Sequence, residues 1–346
     1  MPFTDILGEL TLPAIMLAAL LLYHLLPQRY RNAALLTMSY ALYAAMSWRF
    51  ALILLCLTGV TYRLGRSLQQ GRYRKLRLTV GISVNLLVWL SLKGGKELGP
   101  QLALLLRQFG VETLRGVAPW LLPIGLSFYM LQAIAYLIEI YRRQLPPARP
   151  FIDFALYLVF FPKLTAGPIE RPKPFLEQLA HPAVVDNKLA AESFGLIVLG
   201  LFRKIVIADT ILGVIPPNAF SGPANGGVAV VWLILFGAAI YNDFCGYTCM
   251  VRGISGLFGI RLSRNFNTPF FAASFSDFWN RWHISLSHYL RDYIYSPMSR
   301  ALLRRNPTRT NVANLLLPPL ATMLASGIWH GFGLNFVIWG TYCGVL

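Results

Sequence analysis

The chain has 346 residues, of which 56% are hydrophobic and only 13% are charged, against roughly 25% in an ordinary soluble domain. Together with a mean hydropathy of +0.54, this composition excludes a typical soluble enzyme. The net charge of +17 does not indicate nucleic-acid binding, because no basic groove with stacking aromatic residues is discernible. We predict an all-α, polytopic integral membrane protein that forms a single membrane domain over 1–346.

The basic residues form clusters in short loops between apolar runs, as the positive-inside rule expects of cytoplasmic loops. A basic cytoplasmic rim could also attract an anionic donor such as an acyl-CoA, and the sequence leaves that alternative open. The clusters are Arg29 and Arg31; Arg63, Arg66, Arg72, Arg74, Lys75 and Arg77; Arg142, Arg143 and Arg149; and Arg300, Arg304, Arg305 and Arg309.

The N-terminal part, 1–118, is predicted to contain several spans and a surface helix. The first apolar run, 10–26, follows Asp5 and Glu9 instead of a basic region, so we interpret it as a retained span and not as a secretory signal. The next two spans meet at a tight corner at Trp48 and Arg49. We predict the further elements of this part as spans at 32–47, 50–62 and 78–92, a Gly-rich turn at 93–99 and a surface helix at 101–115.

The remaining part, 119–346, is predicted to form the core and opens with a span at 120–141. Residues 151–168 are apolar but end in PKLTAGP, whose two prolines and glycine break a spanning helix, so we predict a re-entrant segment at 160–170. Helical stretches follow at 189–215 and 228–258. Their charged residues are expected to face protein or water, since charge is costly in lipid; they are Arg203, Lys204, Asp209 and Asp243.

Residues 274–295 are predicted to form one amphipathic helix. Ser274 and Asp277 have the spacing of a capping box at its start, and Pro297 is expected to end it. One stripe is aromatic and apolar, and the opposite face is polar. The stripe contains Phe278, Trp282, Leu286, Tyr289 and Tyr293, and the polar face contains Arg281, Ser285, His288 and Asp292.

Two of the five histidines are candidates for chemistry. His330 lies in the sequence ASGIWHGFG, whose small residues allow a ligand to approach the backbone closely. His283 lies on the predicted amphipathic helix beside two tryptophans. An ionisable residue inside a span indicates function, although a neutral histidine hydrogen-bonded to a carbonyl is the alternative for His330, and the pattern leaves both open. Interface or solvent positions suffice for His24 and His181.

Other catalytic layouts do not fit the sequence. The histidines of HISLSH, five residues apart, do not share a helix face, and no metal site is expected. GxSxG is absent, which argues against a nucleophile elbow. The spaced glycines Gly253, Gly256 and Gly259 indicate close helix packing and not a nucleotide site. What remains is an intramembrane imidazole without a protein nucleophile, which suits direct acyl transfer from a thioester to a hydroxyl.

Six segments resemble, in order, the bacterial branch of the membrane-bound O-acyltransferases. The resemblance runs from about 120 to the end and extends to alginate and cellulose O-acetylation proteins, with teichoic-acid D-alanyl transfer proteins as near kin. The segments are GLSFYMLQAIAYLIEIYRR (125–143), FFPKLTAGPIERPKPF (160–175), GLFRKIVIAD (200–209), YNDFCGYTCMVRGISGLFGI (241–260), NFNTPFFAASFSDFWNRWHISLSHYLRDYIYSP (265–297) and SGIWHGFGLNFVIWG (326–340).

The resemblance implies a fold and a set of site residues. His330 corresponds to the family's essential histidine and His283 to its second one. The fold implied is a ring of helices with re-entrant segments around a central tunnel, where a cytoplasmic thioester meets an outer acceptor. The family's proteins continue beyond the WHG helix, so we expect this chain to be part of a longer protein. The residues that the resemblance places along the tunnel, in substrate binding, are Asn267, Trp279, Arg281, Trp282, Arg291 and Asp292.

The function that the resemblance implies is O-acetylation of an extracytoplasmic polysaccharide, such as alginate, by a multi-pass protein of the bacterial inner membrane. The donor would be acetyl-CoA on the cytoplasmic side, with no bound cofactor, and the acetyl group would pass to the polysaccharide directly or through a partner acyltransferase. D-alanyl transfer from a carrier protein to teichoic acid is the close alternative. A transporter or channel is the alternative of another class, although no inverted repeats are visible.

Overall fold

The computed structural model of the protein describes residues 11–69, 72–108, 125–148, 150–220, 226–308 and 310–346. The regular elements among these residues are all helical, which confirms the all-α prediction. Four helical segments are long and apolar enough to cross a membrane: Gln28–Ser67, Arg74–Gly95, Gly226–Leu257 and Val312–His330. The chain is thus a polytopic integral membrane protein, and the ring arrangement of its helices stays a prediction.

The helices are numbered in chain order. They are α1 (Thr11–Leu25), α2 (Gln28–Ser67), α3 (Arg74–Gln108), α4 (Leu126–Tyr141), α5 (Phe151–Val159), α6 (Phe161–Leu164), α7 (Pro172–Ala180), α8 (Asn187–Leu201), α9 (Thr210–Val214), α10 (Gly226–Leu257), α11 (Phe275–Arg281), α12 (Ile284–Leu290), α13 (Ser296–Arg305), α14 (Val312–His330) and α15 (Leu334–Val345). Wider π-helical turns join α8 to α9 (Phe202–Asp209) and α12 to α13 (Arg291–Tyr295), and a 3₁₀ turn covers Pro269–Phe271.

The chain folds into two compact units that alternate along the sequence. The first unit contains the described part of 1–51 together with 150–265, and the second contains the described part of 52–149 together with 266–346. Helix α2 runs from one to the other and is kinked at Ser47 (φ −165°, ψ 108°), one residue before the predicted corner. The predicted single domain, with its core at 119–346, stays a prediction.

In the first unit, α8 packs closely against α10 through small residues, as the glycine spacing predicts. A Cβ atom added to Gly246 would lie 2.8 Å from the carbonyl oxygen of Gly200. This distance is shorter than the contacts that Cβ atoms make in real protein structures. The charged residues of this region pair within the protein. Lys204 donates to Asp209 at 3.1 Å and also pairs with Asp243. The close approach of the two helices therefore depends on glycine, and the charges have protein partners.

The segment 160–170 does not form a spanning helix, as predicted. Helix α6 has only four residues, and a turn at Thr165 and Ala166 and then a stretch without regular structure follow it to Arg171. Lys163 and Glu170 hold the segment from inside, with 0% and 4% of their surfaces exposed. The Lys163 ammonium donates to the carbonyl of Tyr157 at 2.5 Å, and Glu170 accepts from the backbone N–H of Ser263 at 2.6 Å.

The structure corrects the predicted Gly-rich turn at 93–99. Helix α3 continues without a break through these residues, although Gly94, Gly95 and Gly99 each lower helix propensity. An ion pair between Lys93 and Glu97, one helical turn apart, supports the helix here, so tertiary and side-chain contacts outweigh propensity. The predicted surface helix at 101–115 lies partly outside the described residues.

The structure also corrects the single amphipathic helix predicted at 274–295. Ser274 caps the N-terminus by accepting the N–H of Asp277 at 3.0 Å, but α11 already ends at Arg281. His283 follows in the left-handed region (φ 44°, ψ 52°), which redirects the chain into α12. Pro297 lies in the first turn of α13 instead of ending a helix, because a proline in the first turn needs no N–H donor.

Candidate active site

The eight predicted site residues all belong to the second unit. Trp279 and Arg281 lie on α11, with Trp282 just after it. Asn267 donates its backbone N–H to the carbonyl of Arg281 at 3.0 Å, which ties its loop to the end of the same helix. Arg291 and Asp292 lie on the π-helical turn. His283 and His330 each stand at a break between helices, so irregular backbone positions both imidazoles.

His283 is buried, with 5% of its surface exposed. Its backbone lies in the left-handed region, which residues other than glycine adopt infrequently. Such a conformation costs on the order of 1–3 kcal/mol and concentrates at functional sites. Ser287 stabilises the turn by donating its hydroxyl to the carbonyl of Trp282 at 3.1 Å and its N–H to the carbonyl of His283 at 3.0 Å. The strained turn therefore has local support.

The environment of His283 keeps its imidazole neutral. Burial, and then the charge of the nearby His330, lowers the pKa of His283 from 6.5 to about 3. An imidazole in this state carries one ring N–H and one lone pair at neutral pH. His283 can therefore accept a proton or donate a hydrogen bond without bringing a charge into the site.

His330 is the last residue of α14, and the residue is partly open at the surface while aromatic side chains surround its ring. The ring centroid lies 4.7 Å from that of Trp329 and 5.6 Å from that of Trp339, which it meets edge-on. Phe336 stacks nearly parallel to it at 6.5 Å. The side chain is thus oriented by its aromatic neighbours and remains accessible to a reactant.

Trp329 links the two histidines. Its ring meets that of His283 at right angles, 6.3 Å between centroids, and also contacts the ring of His330. The indole is 9% exposed, and its N–H is buried without a hydrogen-bond acceptor among the described residues. The two imidazoles therefore flank one indole whose buried N–H has no hydrogen-bond acceptor among the described residues.

An aromatic cluster adjoins this centre and contains two predicted residues, Trp279 and Trp282. Phe278 stacks on Trp282 with an interplanar angle of 13°, and Trp279 contacts Trp339 at 6.0 Å. Trp279, too, has a buried ring N–H without an acceptor among the described residues. Because Trp339 also contacts His330, the cluster connects α11 to the histidine through one ring.

The two predicted arginines bind acidic neighbours. Arg281 donates to Asp277 at 2.9 Å, and that guanidinium lowers the pKa of the Asp277 carboxyl. Arg291 pairs with Asp292 at 3.2 Å, and Arg142 donates to the backbone carbonyl of Asp292 at 3.4 Å. The roles of Asn267, Arg281, Arg291 and Asp292 in substrate binding stay predictions.

Lys93 and Glu97 contact the backbone on either side of His330, and neither was predicted from the sequence. Lys93 donates to the carbonyl of Trp329, and Glu97 accepts the N–H of Phe332 at 2.8 Å. The available signal was a lysine inside an apolar helix with a glutamate four residues later, a spacing that places both on one helix face. The predicted turn at 93–99 concealed that signal.

A sequence model of the membrane-bound O-acyltransferase family matches residues 141–346. The chain belongs to this family, which confirms the resemblance drawn from its motifs. It is 37% identical over 331 residues to a probable alginate O-acetylase of Azotobacter vinelandii, covering 93% of this chain and 64% of that protein. A probable alginate O-acetylase of Pseudomonas aeruginosa is 35% identical over 332 residues, which are 94% of this chain and 61% of that protein.

A more distant relative is named for the transfer of a different acyl group. A teichoic acid D-alanyltransferase of Streptococcus thermophilus is 28% identical over 241 residues, which are 67% of this chain and 58% of that protein. The chain therefore spans less than two thirds of the length of the relatives described. All three relatives are named as enzymes that transfer a small acyl group.

Proposed function

We propose that the protein is a membrane O-acetyltransferase that moves an acetyl group from acetyl-CoA to an extracytoplasmic polysaccharide, directly or through a partner acyltransferase. The bacterial inner membrane is its proposed location. The observation that carries the proposal is the pair of imidazoles, His283 and His330, flanking one indole at two helix breaks. Identity to probable alginate O-acetylases supports acetyl as the acyl group.

The proposed reaction is a direct transfer without a protein-bound acyl group. A hydroxyl oxygen of the acceptor attacks the thioester carbonyl carbon, and His330 takes the hydroxyl proton. The carbon–sulfur bond of the resulting tetrahedral species breaks, and the proton passes to the departing thiolate, giving an ester and free CoA. His330 is assigned as the base because the residue is exposed whereas His283 is buried.

His283 is proposed to act beside His330 as a neutral partner. Its burial and its lowered pKa favour a hydrogen-bonding role, which would orient the acceptor or polarise the thioester carbonyl. Three roles remain in the proposal: base, acceptor positioner and carbonyl polariser. The aromatic cluster around Trp279 and Trp282 is proposed to line the path of the substrates.

The experiment measures acyl transfer in membranes that contain the protein, with acetyl-CoA labelled in its acetyl group and the amount of folded protein determined in parallel. His330→Ala is expected to lower the rate about 10²- to 10⁴-fold, the usual contribution of a general base. His283→Ala should also reduce transfer severely. His181→Ala is the matched control, because His181 is exposed in a loop of the first unit.

Two outcomes would contradict the proposal. Full transfer by His330→Ala would exclude the mechanism, and a loss of folded protein in step with activity would make His330 a structural residue. The alternative function has its own assay, in which D-alanyl carrier protein replaces acetyl-CoA. The 28% identity to a D-alanyltransferase supports that alternative, and transfer of D-alanine but not of acetyl would establish it.

A further inference from the structure

The chain between α14 and α15 has backbone groups that no helix satisfies. Helix α14 ends at His330 and α15 begins at Leu334, so carbonyls at one end and N–H groups at the other lack intrahelical partners. Gly331 still donates to the carbonyl of Gly327 at 3.0 Å. Away from water, each remaining group needs a partner, since an unsatisfied one costs several kcal/mol in lipid.

Two charged side chains of α3 supply partners of the correct sign. The Lys93 ammonium donates to the carbonyl oxygen of Trp329, at the C-terminal end of α14. The Glu97 carboxylate accepts the N–H of Phe332, just before α15, at 2.8 Å. A helix carries partial negative charge at its C-terminus and partial positive charge at its N-terminus. The cation therefore meets the C-terminal end of α14, and the anion accepts an N–H of the connecting chain just before α15.

The pair is held in place from several directions. Lys93 is 4% exposed, and its ammonium lies 4.0 Å from the Glu97 carboxylate. The rings of Trp89 and Phe332 flank the ammonium, at 5.4 Å and 5.9 Å from their centroids, which is cation–π range. Trp89 is itself fixed by donating its ring N–H to Ser127 at 2.8 Å. The side chains thus form a rigid support.

We infer that Lys93 and Glu97 form a polar bracket that positions His330 for acyl transfer. The polar bracket forms hydrogen bonds with the residue before His330 and with the second residue after it. The imidazole therefore lies between two hydrogen-bonded backbone positions. The inference rests on the proposed function. Lys93 and Glu97 act through His330 and do not touch substrate, and a displacement of about 1 Å at a reacting group can cost about 10²-fold in rate.

A purely structural ion pair makes a different prediction. If Lys93 and Glu97 served only to stabilise α3 as an ion pair, exchanging the two residues would preserve the pair and its contribution to helix stability. In the polar bracket, the double variant Lys93→Glu/Glu97→Lys brings a carboxylate to the Trp329 carbonyl and an ammonium to the Phe332 N–H. Both contacts become repulsive, so the exchange should fail to restore function although the net charge and the spacing are unchanged.

The test measures kcat and KM for acetyl-CoA in membranes, per molecule of folded protein. Lys93→Met is expected to lower kcat about 10- to 100-fold with KM within about twofold, because only the reacting geometry changes. Glu97→Gln keeps an acceptor oxygen for Phe332 and should lower kcat less than Lys93→Met. Lys188→Met is the control, since it removes the same charge from an exposed position on α8 in the first unit, and it should retain wild-type kcat.

The possible failures are distinguishable in this assay. If the wild-type protein transfers no acetyl group, the proposed function is wrong. If the wild type is active and His330→Ala is not, the polar bracket is overturned by wild-type kcat in Lys93→Met or in the charge-exchanged variant. A kcat that falls only in proportion to folded protein would also overturn it. Should the charge-exchanged variant not fold, Lys93→Met and Glu97→Gln decide.

Discussion

The two units each contain a buried lysine beside an irregular segment, and the two lysines differ in what they support. In the first unit, Lys163 donates to the carbonyl of Tyr157 and interacts electrostatically with Glu170. This lysine lies on α6, just before the stretch without regular structure. In the second unit, Lys93 donates to the carbonyl next to His330. Both satisfy backbone that no helix satisfies, but only Lys93 does so beside a candidate catalytic group.

The comparison teaches that a buried ion pair does not by itself mark a functional site. Burial lowers the pKa of Lys163 and raises that of Glu170, so perturbed ionisation occurs in a part of the chain where the described partners are backbone groups, a serine, an arginine and aromatic rings. Structural ion pairs perturb pKa values as catalytic sites do. The neighbours of the pair decide its role, and three predictions sharpen this difference.

The largest effect is expected from Lys163→Met. Removing the ammonium takes one of two nearby cations from the buried Glu170 carboxyl and leaves Arg252 as the other, and loss of a buried charged partner costs up to about 3–5 kcal/mol in the free energy of unfolding. Thermal unfolding in detergent and the yield of folded protein measure the loss. Transfer per folded molecule should fall less than in Lys93→Met, because the described hydrogen bond and ring contacts of Lys163 are with Tyr157 and Phe175.

A double variant provides the control for Lys163. Lys163→Met/Glu170→Gln removes both charges and keeps an acceptor for Ser263, whose N–H and hydroxyl donate to Glu170 at 2.6 Å and 2.9 Å. It should regain at least half of the stability that the single variant loses. A double variant no more stable than Lys163→Met would show that the charge pairing contributes little and that packing is the cause.

The second effect is a pH dependence that arises in the second unit. The pKa of about 3 for folded His283 lies below its ordinary value of 6.5. Between these values the unfolded chain binds a proton that the folded chain does not, so stability falls as the pH is lowered through this window. From pH 7 to pH 5 the loss from this residue is about 2 kcal/mol, because the slope approaches about 1.36 kcal/mol per pH unit below the ordinary pKa.

The measurement compares the change in Tm between pH 7 and pH 5 in three proteins. His283→Gln should lose less stability on acidification than the wild type does, whatever its Tm at pH 7. His181→Gln should behave as the wild type, because that histidine is exposed. Equal acid sensitivity of His283→Gln and the wild type would mean that His283 is not held neutral by burial.

The difference between the two lysines also shows how far the sequence could predict the molecule. Hydropathy predicted the helices, glycine spacing predicted close helix packing without identifying the partner helix, and breaking residues predicted the interruption at 160–170. The turn at His283 was missed because a left-handed histidine has no periodic signature, and aromatic periodicity continued through it. Lys93 was missed because the nearby glycines predicted a turn at 93–99. Its partners at Trp329 and Phe332 lie more than two hundred residues away in the sequence.

The candidate site was predictable only in part, for a similar reason. The residues pointed to His330 and His283, but the orientation of Trp329 between them depends on two helix breaks brought together by folding. The sidedness of the basic loops and the roles of Arg281 and Arg291 depend on a membrane and on substrates, and they stay predictions. Residue types thus indicated the chemistry, while tertiary packing determined which groups surround it.

The smallest effect is expected from Trp329→Phe, which keeps an aromatic ring between the histidines and removes the ring N–H. That N–H is buried and has no acceptor among the described residues, so its loss breaks no described hydrogen bond in the protein. We expect it to donate to an oxygen of the bound donor or acceptor. A typical hydrogen bond contributes about 1 kcal/mol, so kcat/KM should fall about fivefold. Trp48→Phe, with the same change on a ring that is 62% exposed, is the control and should match the wild type.

Because indole is larger than phenyl, Tm must be measured for both variants of this comparison. A fall in Tm with unchanged kcat/KM would show that Trp329 only fills space. A fall in kcat/KM per folded molecule at nearly unchanged Tm would place its N–H at the substrate.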